Sequence, residues 1–73
     1  MAKKDKAAVY RVTEVIGTSS ESWEAAARSA VNTASKSLRD LRIAEVNKLD
    51  VKVDNGKITQ FRARLSLSFK YGA

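Results

Sequence analysis

The sequence contains no cysteine, no histidine and no proline. Without cysteine no disulfide can form. Without cysteine and histidine the common zinc sites and the usual acid–base and thiol routes of catalysis are excluded. We therefore expect a protein that is not an enzyme. Carboxylate and carbonyl oxygens still leave room for a hard cation such as Ca²⁺ or Mg²⁺.

Long apolar segments are missing as well. No run approaches the roughly 20 residues that a helix needs to cross a bilayer, and no signal peptide precedes the first predicted strand. We therefore expect no membrane partner. The cytoplasm is the default compartment rather than a deduction, because a chain without cysteine is compatible with any.

The chain is 73 residues long, which allows one domain with a thin core. Domains of this size bury only about 60% of the surface that their unfolded chains expose. Small folds make up the deficit with disulfides, a metal or oligomerisation, and this composition favours oligomerisation. Fourteen Lys and Arg against eight Asp and Glu give a net charge of +6. We assign residues 1–6 to a flexible basic tail and residues 7–73 to a single domain.

The most regular pattern occupies residues 58–71. Polar and apolar side chains alternate, with Leu65 and Leu67 on one side and Arg62 and Arg64 on the other. A period of two predicts a β-strand with one buried face. At about 3.3 Å per residue the strand spans roughly 45 Å, whereas a compact chain of this length has a radius of gyration of about 11 Å. Part of the strand must extend past the core, so we expect identical copies to cover it.

Three further elements precede this strand. Residues 9–16 are rich in β-branched side chains and predict a first strand. An apolar stripe from Trp23 to Leu41 at helical spacing predicts one helix. The N-cap candidates are in Thr18–Ser20, just after an exit from the first strand at Gly17.

The second strand is predicted at residues 43–53. Its apolar positions change register part-way, which predicts a bulge near Asn47 and Lys48. The sequence Asp-Asn-Gly at 54–56 then predicts a tight hairpin turn. The order β-α-β-β places the protein in the α+β class, with the single helix covering one face of the sheet.

Several polar residues leave weaker sites open. Asp40 and Glu45 flank the helix-to-strand turn. The simpler interpretation is that their carboxylates are solvated or ion-paired, and the alternative is that they bind a ligand or an ion. Residues 17–20 could bind an anion at a helix N-terminus, although capping is the simpler role. Trp23 fits core or interface packing better than stacking on a ligand.

A basic patch provides the alternative function. Arg62 and Arg64 share a predicted strand face, and Arg42 adds a third guanidinium, so the chain could bind an anion or the phosphates of a nucleic acid. Base-stacking surfaces place aromatic and cationic side chains together. Phe61 and Phe69 are predicted on the opposite face, which makes nucleic acid an unfavoured partner.

The order and spacing of three segments resemble the dodecin family. They are VYRVTEVIGTSSESWEAAARSAV at 9–31, SLRDLRIAEV at 37–46 and DNGKITQFRARLSLSFKY at 54–71. The resemblance implies a three-stranded antiparallel sheet wrapped around one helix, and twelve copies closing into a hollow homododecamer. It also implies a non-enzymatic protein that binds, stores or sequesters a small ligand, with flavin (FMN, riboflavin or FAD) as the typical one.

This sequence departs from the typical dodecin pattern at two positions. The flavin-stacking Trp of the family is Ile43 here, and the Gln that bonds the flavin's pyrimidine edge is Arg62. Ile43 has no aromatic face, and a guanidinium has no acceptor, so we expect flavin binding to be weakened. The chain looks more like the calcium dodecins, which makes Ca²⁺ or another ion an alternative ligand.

We assign cofactor binding to Ile43, Glu45 and Arg62, with Ile43 and Arg62 taken from the resemblance, while the metal ligands stay unassigned. If a cation binds, chemistry favours the carboxylates Glu14, Glu45 or Asp50 brought together by symmetry.

Overall fold

The computed structural model describes residues 7–71, and the predicted basic tail at 1–6 lies outside this range. The elements are β1 (Tyr10–Ser19), α1 (Trp23–Ser35), β2 (Leu41–Asp54) and β3 (Lys57–Lys70). The three strands form one antiparallel sheet in the order β1-β3-β2. The predicted α+β class and the β-α-β-β order are confirmed.

The strongest alternation in the sequence forms the core. Ala63, Leu65 and Leu67 of β3 are buried against the buried alanines of α1. Those alanines are Ala26, Ala30 and Ala34. Their small side chains let the helix lie close to the sheet, and no polar side chain is buried in the described chain. The core is therefore thin, as the chain length predicts.

The boundary between β1 and α1 differs from the prediction. Gly17 does not end the strand but pairs with Ala63 inside the sheet, and β1 continues to Ser19. The helix cap is Ser22, whose Oγ accepts a hydrogen bond from the backbone N–H of Ala25 at 3.0 Å. The prediction of an N-cap within residues 18–20 was therefore wrong.

Gly17 allows close packing of the helix on the sheet, a role that the neighbouring residues in the sequence do not indicate. A Cβ at this position would collide with the carbonyl oxygen of Ala26 and lie 2.8 Å from the Cβ of Ala30. The glycine is needed because the helix backbone approaches the strand too closely for any side chain.

The helix also ends earlier than its apolar stripe predicts. α1 stops at Ser35, and the N–H of Leu38 closes the last turn by donating to the carbonyl of Ala34 at 2.8 Å. Asp40, at φ +57°, then turns the chain into β2. Leu38 and Leu41 are partly buried and pack against the core, so the stripe identified core-facing residues but placed these two in the wrong element.

The long hairpin of β2 and β3 extends beyond the helix. The predicted bulge is present, as a register shift between Val46 and Lys48. Asn55 and Gly56 both have positive φ, +53° and +74°, as a tight two-residue hairpin turn requires. The chain measures 61 × 20 × 15 Å, with a radius of gyration of 15.8 Å rather than the roughly 11 Å of a compact chain. The predicted overhang is confirmed.

We call residues 52–60 the hairpin arm. Val53 and Ile58, on its two strands, are each 57% exposed. The rest of the sheet, together with α1, is the body.

Candidate functional site on the open sheet face

The sheet face turned away from α1 carries polar side chains together with the exposed apolar residues Val12, Ile16 and Ile43, and we call it the open face. Successive residues of a strand point to opposite faces, so the neighbours of Leu65 and Leu67 in β3 point away from the helix. Residues directly opposite on paired strands share a face. The register therefore gives the whole open face, row by row across the three strands.

One row carries two carboxylates. Glu14 of β1 and Glu45 of β2 both pair with Ser66 of β3. With strands about 4.8 Å apart, the two glutamates flank the serine at a backbone separation of about 10 Å. Asn47 donates from Nδ2 to the Oγ of Ser66 at 2.6 Å. Neither glutamate forms an ion pair within residues 7–71. We call Glu14, Ser66 and Glu45 the acidic row.

The next rows toward the arm are mainly basic. Arg64 lies directly opposite Lys48, and Arg62 lies opposite Asp50. The guanidinium of Arg62 donates from Nε to Asp50 Oδ1 at 2.8 Å and from Nη2 to Oδ2 at 3.2 Å. This bidentate pair occupies both carboxylate oxygens of Asp50 and both donors on that side of Arg62.

The charges around Asp50 fix its ionised state. The hydrogen bond from Arg62 lowers the pKa of Asp50 below its ordinary value, and the nearby charges of Arg64 and Lys48 act in the same direction. The same hydrogen bond raises the pKa of Arg62. Asp50 therefore offsets the charge of Arg62, and each of its oxygens already accepts one hydrogen bond.

The structure brings together two of the three residues assigned to cofactor binding. Ile43, 60% exposed, pairs with Ser68 next to the row that contains Glu45. Arg62 is six residues farther along β3 than Ser68, a distance of about 20 Å at 3.3 Å per residue. Ile43 and Arg62 cannot frame one pocket within a single copy.

Trp23 links the start of α1 to the base of the arm. Its ring packs edge-on against Phe61, with centroids 5.2 Å apart and planes at 80°. Its Nε1–H donates to the carbonyl of Asp50 at 3.0 Å. The indole is thus engaged on one side by packing and at its polar edge by backbone, which agrees with the predicted packing role.

The arrangement disfavours the two anion-binding alternatives. Arg42 lies 3.9 Å from Asp40, and Arg62 is held by Asp50. Phe61 contacts the helix side, away from the open-face arginines, so no aromatic platform accompanies them. Residues 17–19 belong to β1 and not to a helix N-terminus, which argues against the anion site considered at residues 17–20.

Sequence reasoning missed the Asp50–Arg62 pair. Counting strand positions outward from the turn places Asp50 opposite Phe61. The irregularity between Lys52 and Val53 shifts the register by one residue and brings Arg62 opposite instead. The sequence shows a long polar strand near a tight turn, but this pattern does not reveal the register shift between Lys52 and Val53.

Comparison with known proteins decides the family. The family model for dodecins matches residues 9–72, which is almost the whole chain.

The chain belongs to the dodecin family. Calcium dodecin from Mycobacterium tuberculosis is 51% identical to this dodecin over 63 residues, covering 85% of this chain and 87% of that protein. Dodecin from Streptomyces coelicolor has a solved structure that superimposes with a TM-score of 0.85 at 36% identity, covering 90% of this chain and 94% of that one.

A crystal structure of the mycobacterial protein is also similar. It is described as a calcium-chelating immunodominant antigen, calcium dodecin, with a novel calcium-binding site. It superimposes with a TM-score of 0.78 at 48% identity, covering 88% of this dodecin and 91% of that chain. The family membership and the dodecin fold inferred from the sequence are therefore confirmed.

Proposed function

We propose that this dodecin is a non-enzymatic, cytoplasmic protein that assembles into a hollow homododecamer and sequesters Ca²⁺. The acidic row on the open face is the observation that supports a cation as the ligand. The close similarity to a calcium dodecin supports the choice of Ca²⁺ among hard cations.

The assembly is supported by the shape of the chain. An elongated molecule of 61 × 20 × 15 Å with a thin core leaves large apolar side chains exposed at both ends of the sheet. Val12, Ile43, Val53 and Ile58 are each more than half exposed. Burial of such side chains against copies of the same chain is the available way to stabilise it, since the sequence offers no disulfide.

The donors of the acidic row fit a hard cation. Glu14, Glu45 and Ser66 offer only oxygen, which Ca²⁺ prefers in sets of six to eight. One copy supplies too few, because no cluster of three or more acidic or other metal-binding side chains occurs within the described range. The site must therefore be shared by the rows of neighbouring copies, with water completing the shell. We leave Asp50 out of the site, because both of its oxygens already accept hydrogen bonds from Arg62.

Flavin is the weaker ligand for this chain. Ile43 presents an exposed aliphatic surface in place of an aromatic ring. Arg62, at the position of the family's amide, has no acceptor and directs two of its donors to Asp50. We expect little quenching of flavin fluorescence on adding the protein. Strong quenching, with one or more flavins bound per copy, would contradict Ca²⁺ as the proposed ligand and favour flavin.

The proposal is tested by calorimetric titration of the metal-free protein with Ca²⁺. We expect saturable binding, lost in the double variant Glu14→Gln/Glu45→Gln and retained in Glu21→Gln, a control carboxylate outside the open face. Light scattering on each sample checks that the assembly has formed. Absence of heat from an assembled wild-type protein, or equal binding by the double variant, contradicts the ion proposal. A monomeric mass contradicts the assembly.

A further inference from the structure

The tip of the hairpin arm carries two residues with a chemistry of their own. Asn55 and Gly56 are the central residues of the turn between β2 and β3, and both are exposed. Asparagine is a chemically labile residue, because the backbone nitrogen of the next residue can attack its side-chain amide carbon. A glycine in the next position has no Cβ beside that nitrogen, so the attack meets the least steric resistance.

The structure leaves both reacting groups free. The side chain of Asn55 forms no hydrogen bond within residues 7–71. Over the same range the N–H of Gly56 donates to no backbone carbonyl. A Cβ added to Gly56 would have no heavy atom within 4 Å. Neighbouring side chains therefore do not block the ring that the attack would form.

The turn can also reach the reactive conformation. Asn55 has a φ of +53°, a left-handed conformation that asparagine tolerates. Ring closure requires rotation about the bond between its Cα and its carbonyl carbon. This rotation opens only the turn, since the arm has two strands and such a hairpin is marginally stable by itself. Local openings of this kind cost less free energy than global unfolding.

The other two asparagines of the chain are constrained. Asn32 lies within α1 and precedes Thr33, whose N–H takes part in the helical hydrogen bonds. Asn47 lies in β2, where its Nδ2 donates to the Oγ of Ser66 at 2.6 Å. It precedes Lys48, so in both cases the attacking nitrogen also belongs to a residue with a side chain. The structure therefore distinguishes the asparagine at the tip from the others.

We propose that Asn55 is a site of spontaneous modification to aspartate and isoaspartate. The backbone nitrogen of Gly56 loses its proton to hydroxide and bonds to Cγ of Asn55. The Cγ–Nδ2 bond breaks, and the leaving nitrogen takes a proton from water and departs as ammonia. Water then opens the resulting succinimide ring at Cγ, which gives aspartate, or at the backbone carbonyl carbon, which gives isoaspartate. The net reaction consumes one water and releases one ammonia.

The two products change the arm in different ways. Both replace a neutral amide by a carboxylate beside Asp54 and lower the net charge of +6 by one. Aspartate preserves the turn, because Asp-Gly suits the same two-residue hairpin as Asn-Gly. Isoaspartate adds a methylene to the backbone, so the turn no longer fits the pairing of Asp54 with Lys57. The arm therefore changes in charge and shape as the protein ages, whatever ligand the open face binds.

The test is incubation of the purified full chain in mildly alkaline buffer, followed by digestion in mild acid and peptide mapping by mass spectrometry. An isoaspartyl methyltransferase with a labelled methyl donor measures the isoaspartate. We expect Asn55 to give both products while Asn32 and Asn47 keep their amides. The rate should rise in proportion to hydroxide concentration, because the attacking nitrogen must lose its proton.

Two variants and one reference sample sharpen the test. Asn55→Gln should lose the reaction at the tip, because a glutamine amide must close a larger ring and does so far more slowly. Asn47→Gln should leave it unchanged. If Asn55 keeps its amide in the folded protein and converts only in the urea-unfolded chain, the turn protects the tip and the inference is overturned. Conversion of Asn32 or Asn47 at the same rate, or aspartate without isoaspartate, also overturns it.

Discussion

The body and the hairpin arm are made from the same two strands, β2 and β3, yet only the body has a core. In the body, β3 alternates between buried leucines and half-buried serines because α1 covers one face. In the arm the register shifts by one residue between Lys52 and Val53, and the apolar pair Val53 and Ile58 stays more than half exposed. Strand formation thus depends on local pattern and pairing, whereas burial depends on what lies across the sheet.

The comparison bears on the proposed assembly. Extending a hairpin past its helix adds apolar surface without adding a core, so the free energy of that surface is available only to intermolecular contacts. The body must then be rigid enough to hold the arm in one direction. Gly17, Trp23 and the Asp50–Arg62 pair mark successive points from the centre of the body to the base of the arm.

Alanine substitutions of Gly17, in the body, and Gly56, at the turn of the arm, should give the largest difference in stability between the two regions. We expect Gly17→Ala to destabilise the protein by about 3 kcal/mol or more, since the new Cβ meets helix backbone that cannot rotate away. In the matched change Gly56→Ala the new Cβ has no heavy atom within 4 Å. The expected loss of stability is therefore only the cost of a positive φ for alanine, about 1–2 kcal/mol. Urea unfolding at one fixed protein concentration measures both. Equal losses would show that the body is no more tightly packed than the turn.

The glycine comparison also shows what a sequence can reveal about this fold. The alternation of β3, the bulge near Lys48 and the hairpin turn were predictable, because each is written in neighbouring residues. The length of α1 was not, since its apolar stripe continues through Leu38 in a segment that packs without being helical. The role of Gly17 depends on a helix that approaches from elsewhere in the chain, so no local signal identifies it.

The candidate site was predictable only in part, for the same reason. Ile43, Glu45 and Arg62 were assigned one by one, but their mutual placement depends on strand register. A single irregularity near Lys52 decides that Arg62 pairs with Asp50. In the proposed ion site, the acidic row is completed by other copies, and therefore by surfaces that a single sequence pattern does not describe.

Trp23 tests the junction between body and arm. Trp23→Phe keeps an aromatic ring against Phe61 but removes the Nε1–H that donates to the carbonyl of Asp50. We expect a loss of about 1 kcal/mol in the free energy of unfolding and faster amide hydrogen exchange in residues 50–54. Glu24→Gln, next to it on α1, is the control. Unchanged exchange in the arm would mean that the indole supports only the body.

The smallest effect is expected at the Asp50–Arg62 pair, because both side chains lie at the surface, where ion pairs are weak and screened by salt. The folded state lowers the pKa of Asp50 below 3.8. The pair therefore contributes stability at pH values above that ordinary value and loses it as pH falls through the lower, folded value. Asp50→Asn should be slightly less stable than the wild type near pH 7. The difference should shrink in high salt and vanish in strong acid.

Melting temperatures of the two proteins across pH and salt measure this difference, with Glu21→Gln as a carboxylate control that has no ion pair in residues 7–71. The result also bears on the ligand. If Asp50→Asn frees Arg62 and creates binding of anionic flavin that the wild type lacks, the ion pair is a determinant of ligand choice. If the variant changes neither stability nor binding, Asp50 and Arg62 are a surface contact without consequence, and the difference from flavin-binding dodecins lies at Ile43.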